Sequence, residues 1–203
     1  MTRPAATAAV TASPARRRLG RTERRAAILG ASASAFASGG YANTSMADIA
    51  SAARISHLIV YRHFDSKEAL YGAVLERAVG HIACALSTND AVGVYGPTPA
   101  ALLAAAQADR AAFRVLWRHA AREPDFSSCA DSALELLLGA TREALAPIVA
   151  PAHLDWAARA TIAYVVEAVL VWIEGGDERL DDRFVAATTA ALRAGVRSWA
   201  KPS

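Results

Sequence analysis

The spacing of apolar residues predicts helices along most of the chain, with three of them in close succession between residues 44 and 70. Met46, Ile49 and Ala53 fall on one face of a helix, which predicts a short helical element there. The apolar pattern restarts at Ile55 after a single intervening residue. A tight turn between two short helices follows from this spacing.

The second short helix has an unusual outer face. Val60 and Phe64 point inward together with Ile55. The outward positions carry large, aromatic or basic side chains instead of a solvated mixture of acids and lysines, namely His57, Leu58, Tyr61, Arg62 and His63. Such a face is typical of the second helix of a helix-turn-helix, which enters a DNA groove. The alternative is a small solvated helical hairpin that binds nothing.

Polar residues at the start of each helix predict both caps and DNA contacts. Ser45 and Asp48 have the spacing of a capping box, as do Asp65 and Glu68, and Ser56 can cap the helix between them. Backbone N–H groups at these three helix starts could hold phosphate oxygens. The side chains expected to donate to phosphates are Thr44, Ser45, Tyr61, His63 and Lys67. His57 and Arg62 could read base edges, whereas Leu58 and Ile59 could only touch thymine methyls or pack on sugars.

The remaining pattern predicts further helices separated by Gly- and Pro-containing segments. A first helix is expected from about 22 to 38, ended by Gly39 and Gly40, and a loop from 88 to 99. The other helices are expected at about 66–87, 98–107, 109–122, 126–146, 153–174 and from 181 or 182 onward.

Charge is concentrated at the N-terminal end. Residues 1–67 carry ten Lys or Arg and three Asp or Glu, a balance of +7, whereas residues 68–203 have a balance of −4. The electrostatic footprint for nucleic acid therefore coincides with the helix-turn-helix. Residues 1–21 are expected to form a disordered basic arm, whose Arg18 and Arg21 either reach into a minor groove or are simply solvated.

Other chemistry is weakly represented. His81 and Cys84 are three residues apart and could share a metal, but no third ligand is evident, and no Walker loop, GxGxxG or HExxH occurs. We therefore expect no cofactor and no metal. The longest apolar run, 160–173, is 14 residues long and includes Glu167, and the first 18 residues lack a signal-peptide core, so we expect a cytoplasmic protein without membrane contact.

The two C-terminal helices are too apolar for a small monomer, which predicts a four-helix interface with a second copy. The alternative is that they merely close the core of the monomer. The residues expected in this interface are Ile162, Val165, Val166, Val169, Ile173, Val185, Thr188, Leu192 and Val196.

Residues 22–82 resemble the DNA-binding domain of TetR-type (tetracycline-repressor-like) transcriptional regulators. The matching residues are Ile28, Phe36, Gly40, Tyr41, Thr44, Ser45, Met46, Ile49, Ala50, Ala53, Ser56, Tyr61, His63, Phe64, Ser66, Lys67 and Leu70. Two positions depart from the family pattern, since Arg54 stands where the family usually has glycine and Leu58 where it often has glycine. If the backbone at Arg54 has a positive φ, arginine costs roughly 1 kcal/mol relative to glycine.

The resemblance implies an all-α fold with an N-terminal three-helix DNA-binding domain at 22–82, whose helix-turn-helix covers about 45–64. A larger helical ligand-binding and dimerisation domain is implied at 83–203. The implied pocket among the helices from about 66 to 174 has the candidates His81, Cys84, Phe113, Trp117, Tyr164 and Glu167. A Phe–Trp pair at helical spacing is also common in ordinary cores. Buried Glu167 would need a partner, for which Tyr164, Arg159 or a ligand amine could serve.

These observations predict a homodimeric transcriptional repressor that an unidentified small-molecule effector releases from a palindromic double-stranded operator. A regulator of the same fold could instead be an activator or lack an effector. A helical enzyme using the region of His81, Cys84 and Glu167 is the more distant alternative.

Overall fold

The computed structural model describes residues 20–88 and 90–201, and within these it contains nine α-helices and one small hairpin. The N-terminal helices are α1 (Arg21–Asn43), α2 (Met46–Ala52), α3 (His57–Tyr61) and α4 (Lys67–Leu86). Strands β1 (Val92–Gly93) and β2 (Gly96–Pro97) form an antiparallel hairpin. The C-terminal helices are α5 (Pro99–Ala108), α6 (Arg110–Arg114), α7 (Ser127–Leu145), α8 (Leu154–Gly175) and α9 (Asp181–Trp199).

Helix α6 changes its winding in mid-course. It continues directly into a π-helical turn, Val115–His119, and then into a 3₁₀ turn, Ala120–Arg122. Two further 3₁₀ turns, Pro151–His153 and Glu178–Leu180, lead into α8 and α9. The helical fold class predicted from the sequence is confirmed, although the segment predicted as a loop contains the short hairpin.

The first helix does not end where the two glycines predicted. The backbone breaks at Gly40, with φ 73° and ψ 172°, but helical bonding resumes and α1 extends to Asn43. Only glycine adopts this conformation at little cost. Gly40 therefore sets the direction in which the chain leaves α1 and enters the helix-turn-helix.

Helices α1 to α4 pack around large side chains. Those with no exposed surface include Phe36, Ile49, Val60 and Leu70, with Phe64 5% exposed. The inward positions predicted for α2 and α3 are thus the observed ones, except that Ile55 is only half-buried. This core holds α3 at the surface.

The buried residues form one continuous cluster through the whole described chain. Helix α4 packs on α1 on one side and on α5 and α7 on the other, and α8 lies against α5, α7 and α9. The domain boundary predicted at residues 82 and 83 falls near the end of α4 and stays a prediction.

The hairpin is fixed by a close approach to α7. Gly96 has φ +106°, and a methyl group at this position would lie 2.7 Å from Thr141 Oγ1. The Thr141 hydroxyl donates to the Leu137 carbonyl within α7, at 2.8 Å. Glycine is required at Gly96 for both backbone and steric reasons.

The face of α8 and α9 predicted for dimerisation is mostly turned into the monomer core. Seven of the nine residues are no more than 7% exposed, namely Ile162, Val165, Val166, Val169, Thr188, Leu192 and Val196, whereas Ile173 and Val185 are half-buried. The interface prediction was wrong for these seven side chains, because they pack inside one chain.

Helix α8 is also not buried on all sides. Its opposite face exposes Trp156, Tyr164 and Val171, with exposed fractions of 55%, 41% and 57%. These residues are eight and seven positions apart, so they form one stripe along the helix. A large apolar stripe therefore remains at the surface of the monomer.

Two helical stretches, Lys67–Leu86 and Pro151–Gly175, are by length and composition apolar enough to cross a membrane. This corrects the expectation that no segment is long enough. Both supply side chains to the core of the folded protein, and core helices commonly pass the same test.

Candidate nucleic-acid interface

Helix α2 begins with the predicted capping box. The Ser45 hydroxyl accepts from the Asp48 backbone N–H at 3.1 Å, and the Ser45 N–H donates to Asp48 Oδ2 at 2.9 Å. The hydrogen bonds from Ser45 hold the pKa of Asp48 below its ordinary value. These two donors are therefore already satisfied within the protein.

The caps of α3 and α4 differ from each other. Ser66 accepts from the Ala69 N–H at 3.1 Å and caps α4. The Ser56 side chain makes no such bond to α3, so the cap predicted there was wrong. Side chains therefore occupy some of the N–H groups at the starts of α2 and α4, and the expectation that helix starts hold phosphates stays a prediction for the remaining N–H groups.

The outer face of α3 is exposed as predicted. Leu58 is 64% and Tyr61 42% exposed, and His57 and Arg62 are exposed beside them. The rings of His57 and Tyr61 are in edge-to-face contact with centroids 4.7 Å apart. Ile59 is half-buried. Large side chains that make little contact within the chain thus project together from one short helix.

Thr44 is not available in the way predicted. It is 5% exposed, and its hydroxyl donates to the Gly40 carbonyl at 2.8 Å. The hydroxyl satisfies a carbonyl that the break at Gly40 leaves free of regular helical bonding. The assignment of the Thr44 hydroxyl to a phosphate is therefore corrected to a structural contact.

Lys67 is also engaged inside the protein. Its Nζ donates to the Tyr41 carbonyl at 3.0 Å and lies 4.2 Å from the centroid of the Tyr41 ring. The Tyr41 hydroxyl donates to Glu68 Oε1 at 2.7 Å. Burial and this bond raise the pKa of Tyr41 to about 12, and the bond lowers that of Glu68 to about 2. Lys67 thus anchors α4 to the end of α1, and a phosphate contact would have to use its remaining donors.

A group of arginines at the start of α1 lies beside the end of the helix-turn-helix. The guanidinium carbon of Arg25 is 4.7 Å from the centroid of the Phe64 ring. Burial, followed by the positive charges of Arg21, Arg24 and Arg25, lowers the pKa of His63. His63 is therefore neutral near pH 7, but a neutral imidazole can still donate one hydrogen bond.

The prediction named Arg21 and missed Arg24 and Arg25. The sequence signal was the basic run RTERR at the start of α1. The relevance of this basic run depends on the contact of Arg25 with Phe64, just after α3, which no local pattern reveals. Arg18 and most of the predicted arm lie outside the described residues.

The backbone in the turn between α2 and α3 has a positive φ at Arg54, the position at which the family usually has glycine. Arg54 has φ 53° and, among the described residues other than glycine, is the only one with a positive φ. An L-amino acid with a β-carbon is strained in this region. The positive φ at Arg54 therefore lowers the free energy of unfolding, although it keeps the turn that joins α2 and α3.

Replacing Arg54 by glycine should raise the free energy of unfolding by about 1 kcal/mol, because glycine relieves this strain. Urea denaturation of the two proteins at the same ionic strength measures the difference. Arg62→Gly is the matched control, since Arg62 has φ −69° and should lose about 0.5–1 kcal/mol on the same change. Equal effects of the two substitutions would contradict the assignment of strain to Arg54.

The candidates for a pocket do not form one site. Trp117 and Glu167 line a common cleft between the π-helical turn, α7 and α8. Phe113 is 1% exposed in the core, Cys84 is exposed at the surface, and the His81 ring contacts Arg77. Tyr164 lies on the outer stripe of α8, where it lines a separate shallow groove. Among the described residues, no group of three or more His, Cys, Asp or Glu side chains could hold a metal ion.

Glu167 has a partner that the sequence did not suggest. Its carboxylate is 55% exposed and accepts two hydrogen bonds from Arg118, each 2.9 Å long. Neither Tyr164 nor Arg159, the partners considered from the sequence, forms this contact. The expectation of a buried carboxylate is corrected, although the ion pair does lie at the edge of the cleft.

The chain is therefore a helix-turn-helix protein of the kind that binds DNA. Residues 28–74 match the model of the bacterial regulatory proteins of the tetR family. It is 49% identical over 57 residues to the HTH-type transcriptional repressor Rv3405c of Mycobacterium tuberculosis, and 43% identical over 65 residues to the HTH-type transcriptional activator FasR of Mycolicibacterium smegmatis. These matches cover 28% and 32% of this chain and 30% of each relative.

The fold is similar over a much longer stretch. A TetR-like transcriptional regulator from Rhodococcus sp. RHA1 superposes with a TM-score of 0.68 at 23% identity, over 88% of this chain and 98% of that one. Residues 28–74 thus match the DNA-binding domain of the tetR family, and over most of its length the chain has the fold of this TetR-like regulator.

Proposed function

We propose that two copies of this chain bind a two-fold-symmetric DNA site in the cytoplasm and repress transcription until a small-molecule ligand releases them. The observation that carries this proposal is the exposed face of α3. His57, Leu58 and Tyr61 are exposed on it, and the arginines of α1 lie near His63 and Phe64, just after this helix. A helix of this composition fits the major groove, and the arginines fit the flanking phosphates.

The apolar stripe of α8 supports the homodimer. Trp156, Tyr164 and Val171 leave a face that a single copy does not cover, and Trp172 stacks on Phe184 beside it with ring centroids 4.6 Å apart. Two copies of α8 and α9 would bury this face as a four-helix interface. The interface we propose is thus the opposite side of α8 from the one predicted from the sequence.

A ligand in the cleft would lie close to the start of the DNA-binding helices. Trp117 and Arg118 line the cleft, and the next residue, His119, lies 3.9 Å from where a β-carbon on Gly40 would stand. Gly40 is the point at which α1 breaks before the helix-turn-helix. We propose that ligand-induced movement of the π-helical turn is transmitted through this contact. Such coupling requires that the ligand bind the two conformations with different affinity.

A second packing contact supports the same coupling. The Tyr41 ring lies 5.1 Å from that of Phe126, just before α7, and 4.9 Å from that of Tyr71 on α4. Movement at the start of α7 would thus reach Tyr41 and the Lys67 ammonium that is bound to it.

The two curated relatives differ in the direction of regulation that their names give. One relative carries the name repressor and the other the name activator, and both match only in the DNA-binding segment. An activator, or a regulator without an effector, remains the alternative function. Transcription from a promoter carrying the selected site, with and without the protein, distinguishes the two directions.

Binding-site selection from a random DNA pool tests the core of the proposal. We expect a palindromic sequence whose half-sites are about one helical turn apart, because a two-fold dimer imposes its symmetry on DNA. His57→Ala should change the preferred base at one position of each half-site, with a loss of ~1–3 kcal/mol of discrimination there. Recovery of a single asymmetric half-site would refute the dimeric mode.

Tyr61→Phe is the control for His57→Ala. Its lost hydroxyl is assigned to a phosphate, so binding should weaken similarly on every sequence and the selected site should stay the same. If the His57 variant also retains the original base preference, its assignment to base readout is wrong.

A further inference from the structure

The cleft between the π-helical turn, α7 and α8 has an apolar floor and a polar rim. Its volume is about 360 Å³, within the range of small-molecule sites. The floor is formed by Leu134, Ile162, Val166 and Leu170. The rim has Trp117 and Arg118 on the π-helical turn, and Arg159 and Glu167 on α8. A π-helical turn within an α-helix is frequently found at functional sites.

The acceptor on this rim is already paired with a cation. Both oxygens of Glu167 accept hydrogen bonds from Arg118, and Arg118 lies 3.8 Å from a second carboxylate, that of Glu174. A cationic ligand would therefore have to displace a two-point ion pair to reach Glu167. Such pairs are among the stronger hydrogen-bonded contacts in proteins.

The donors on the rim are not saturated. Trp117 Nε1 is buried and has no hydrogen-bond partner among the described residues. Arg159 uses Nε to bind Asp155 at 2.9 Å, and no hydrogen bond within the described chain uses its two terminal nitrogens. A buried donor without a partner is costly, and it is satisfied when an acceptor arrives.

We propose that this cleft binds an amphipathic carboxylate, with its apolar chain on the floor and its carboxylate at Trp117 and Arg159. The head group would accept from the free end of the guanidinium, and from the indole N–H after a rotation of the Trp117 ring, since this N–H has almost no exposed surface. The chain would cover Ile162, Val166 and Leu170. This assignment deepens the proposed function, on which it rests, by giving the chemical class of the effector.

Calorimetric titration of the full chain with straight-chain carboxylates from hexanoate to dodecanoate tests the class. Affinity should rise by about fourfold for each added methylene until the floor is covered, as burial of a CH₂ group predicts. The 1-alkanol and the primary alkylamine of equal length should each bind at least roughly tenfold more weakly than the carboxylate.

Three variants locate the head group. Arg159→Gln and Trp117→Phe should each weaken carboxylate binding, by roughly tenfold for the former, while leaving the weak alkanol affinity nearly unchanged. Arg142→Gln is the matched control, because Arg142 shares the Asp155 partner with Arg159 but does not line the cleft. Loss of binding in the Arg142 variant equal to that in the Arg159 variant would indicate that the ion-pair network, not the cleft, is responsible.

Other outcomes overturn the proposal. Tighter binding of the alkylamine would identify Glu167 as the recognition group, equal binding of all three head groups would indicate an unspecific apolar surface, and no carboxylate binding at millimolar concentration would exclude the class. DNA binding without ligand is measured in parallel. If DNA is bound and carboxylates are not, this inference fails alone, whereas failure to bind DNA refutes the proposed function itself.

Discussion

Joint replacement of Arg21, Arg24 and Arg25 by glutamine should lower DNA affinity by orders of magnitude at low salt. The three guanidinium groups lie at the start of α1, where, in addition to burial, their positive charges lower the pKa of His63 at the end of the helix-turn-helix. If each neutralises one phosphate, a dimer loses six contacts. The slope of log K against log salt should then become shallower by about five, at about 0.9 per contact on B-DNA. Fluorescence anisotropy over a range of salt concentrations measures both affinity and slope.

The control removes the same charge from another part of the chain. Arg122, Arg179 and Lys201 are exposed and lie outside α1, α3, α8 and α9, and their joint replacement by glutamine changes the net charge of each chain equally. It should leave the slope nearly unaltered, because salt dependence reports contacts more than net charge. If both triple variants flatten the slope alike, the arginines of α1 act only through the overall field. Thermal unfolding of both variants checks that loss of the Arg25–Phe64 contact has not unfolded the domain.

The helix-turn-helix was predictable because its determinants are local. A capping box at Ser45 and Asp48, a one-residue restart of the apolar pattern at Ile55 and an exposed aromatic face on α3 all occur within 20 residues. Each depends on contacts three or four residues apart, which a sequence displays directly. Even here the hydroxyl of Thr44 was misassigned, because its acceptors belong to the preceding helix and become available only when the backbone breaks at Gly40.

The orientation of α8 could not be predicted for a different reason. Helical periodicity identifies a buried face only when the opposite face is polar. In α8 both faces are apolar, so Val169, with no exposed surface, and Val171, 57% exposed, are indistinguishable in the sequence. The choice is made by packing against α5, α7 and α9, which are distant in the chain.

The cleft could not be predicted, because its π-helical turn is not marked by a local pattern and its rim residues are distant in the chain. The π-helical turn at Val115–His119 has no recognised sequence signature. The ion pair that defines the rim joins Arg118 and Glu167, which are 49 residues apart. Glu167 was conspicuous in the sequence as a single acid within an apolar run, but only the fold supplies its partner.

The Val171→Glu variant should be monomeric at low micromolar concentration. Val171 lies at the C-terminal end of the exposed stripe of α8, beside Trp172 and Phe184 in a shallow apolar groove. In the proposed dimer this position is desolvated, so an unpaired carboxylate there should cost several kcal/mol. Because each half-site would then be bound independently, affinity for the full palindrome should fall to that of a half-site. Light scattering and anisotropy measure the two effects.

Glutamate substitutions at two other valines distinguish a loss of dimerisation from a loss of folding. Val94 on the hairpin is 69% exposed and lies outside the stripe, so Val94→Glu should leave the protein dimeric, folded and fully able to bind DNA. Val169 has no exposed surface, so Val169→Glu should reduce thermal stability by several kcal/mol and not yield a folded monomer. The Val171 variant should instead retain the helical circular dichroism of the wild type and bind a single half-site. A Val171→Glu protein that stays dimeric would show that the copies meet through another face, and the palindromic half-site spacing would then need a different origin.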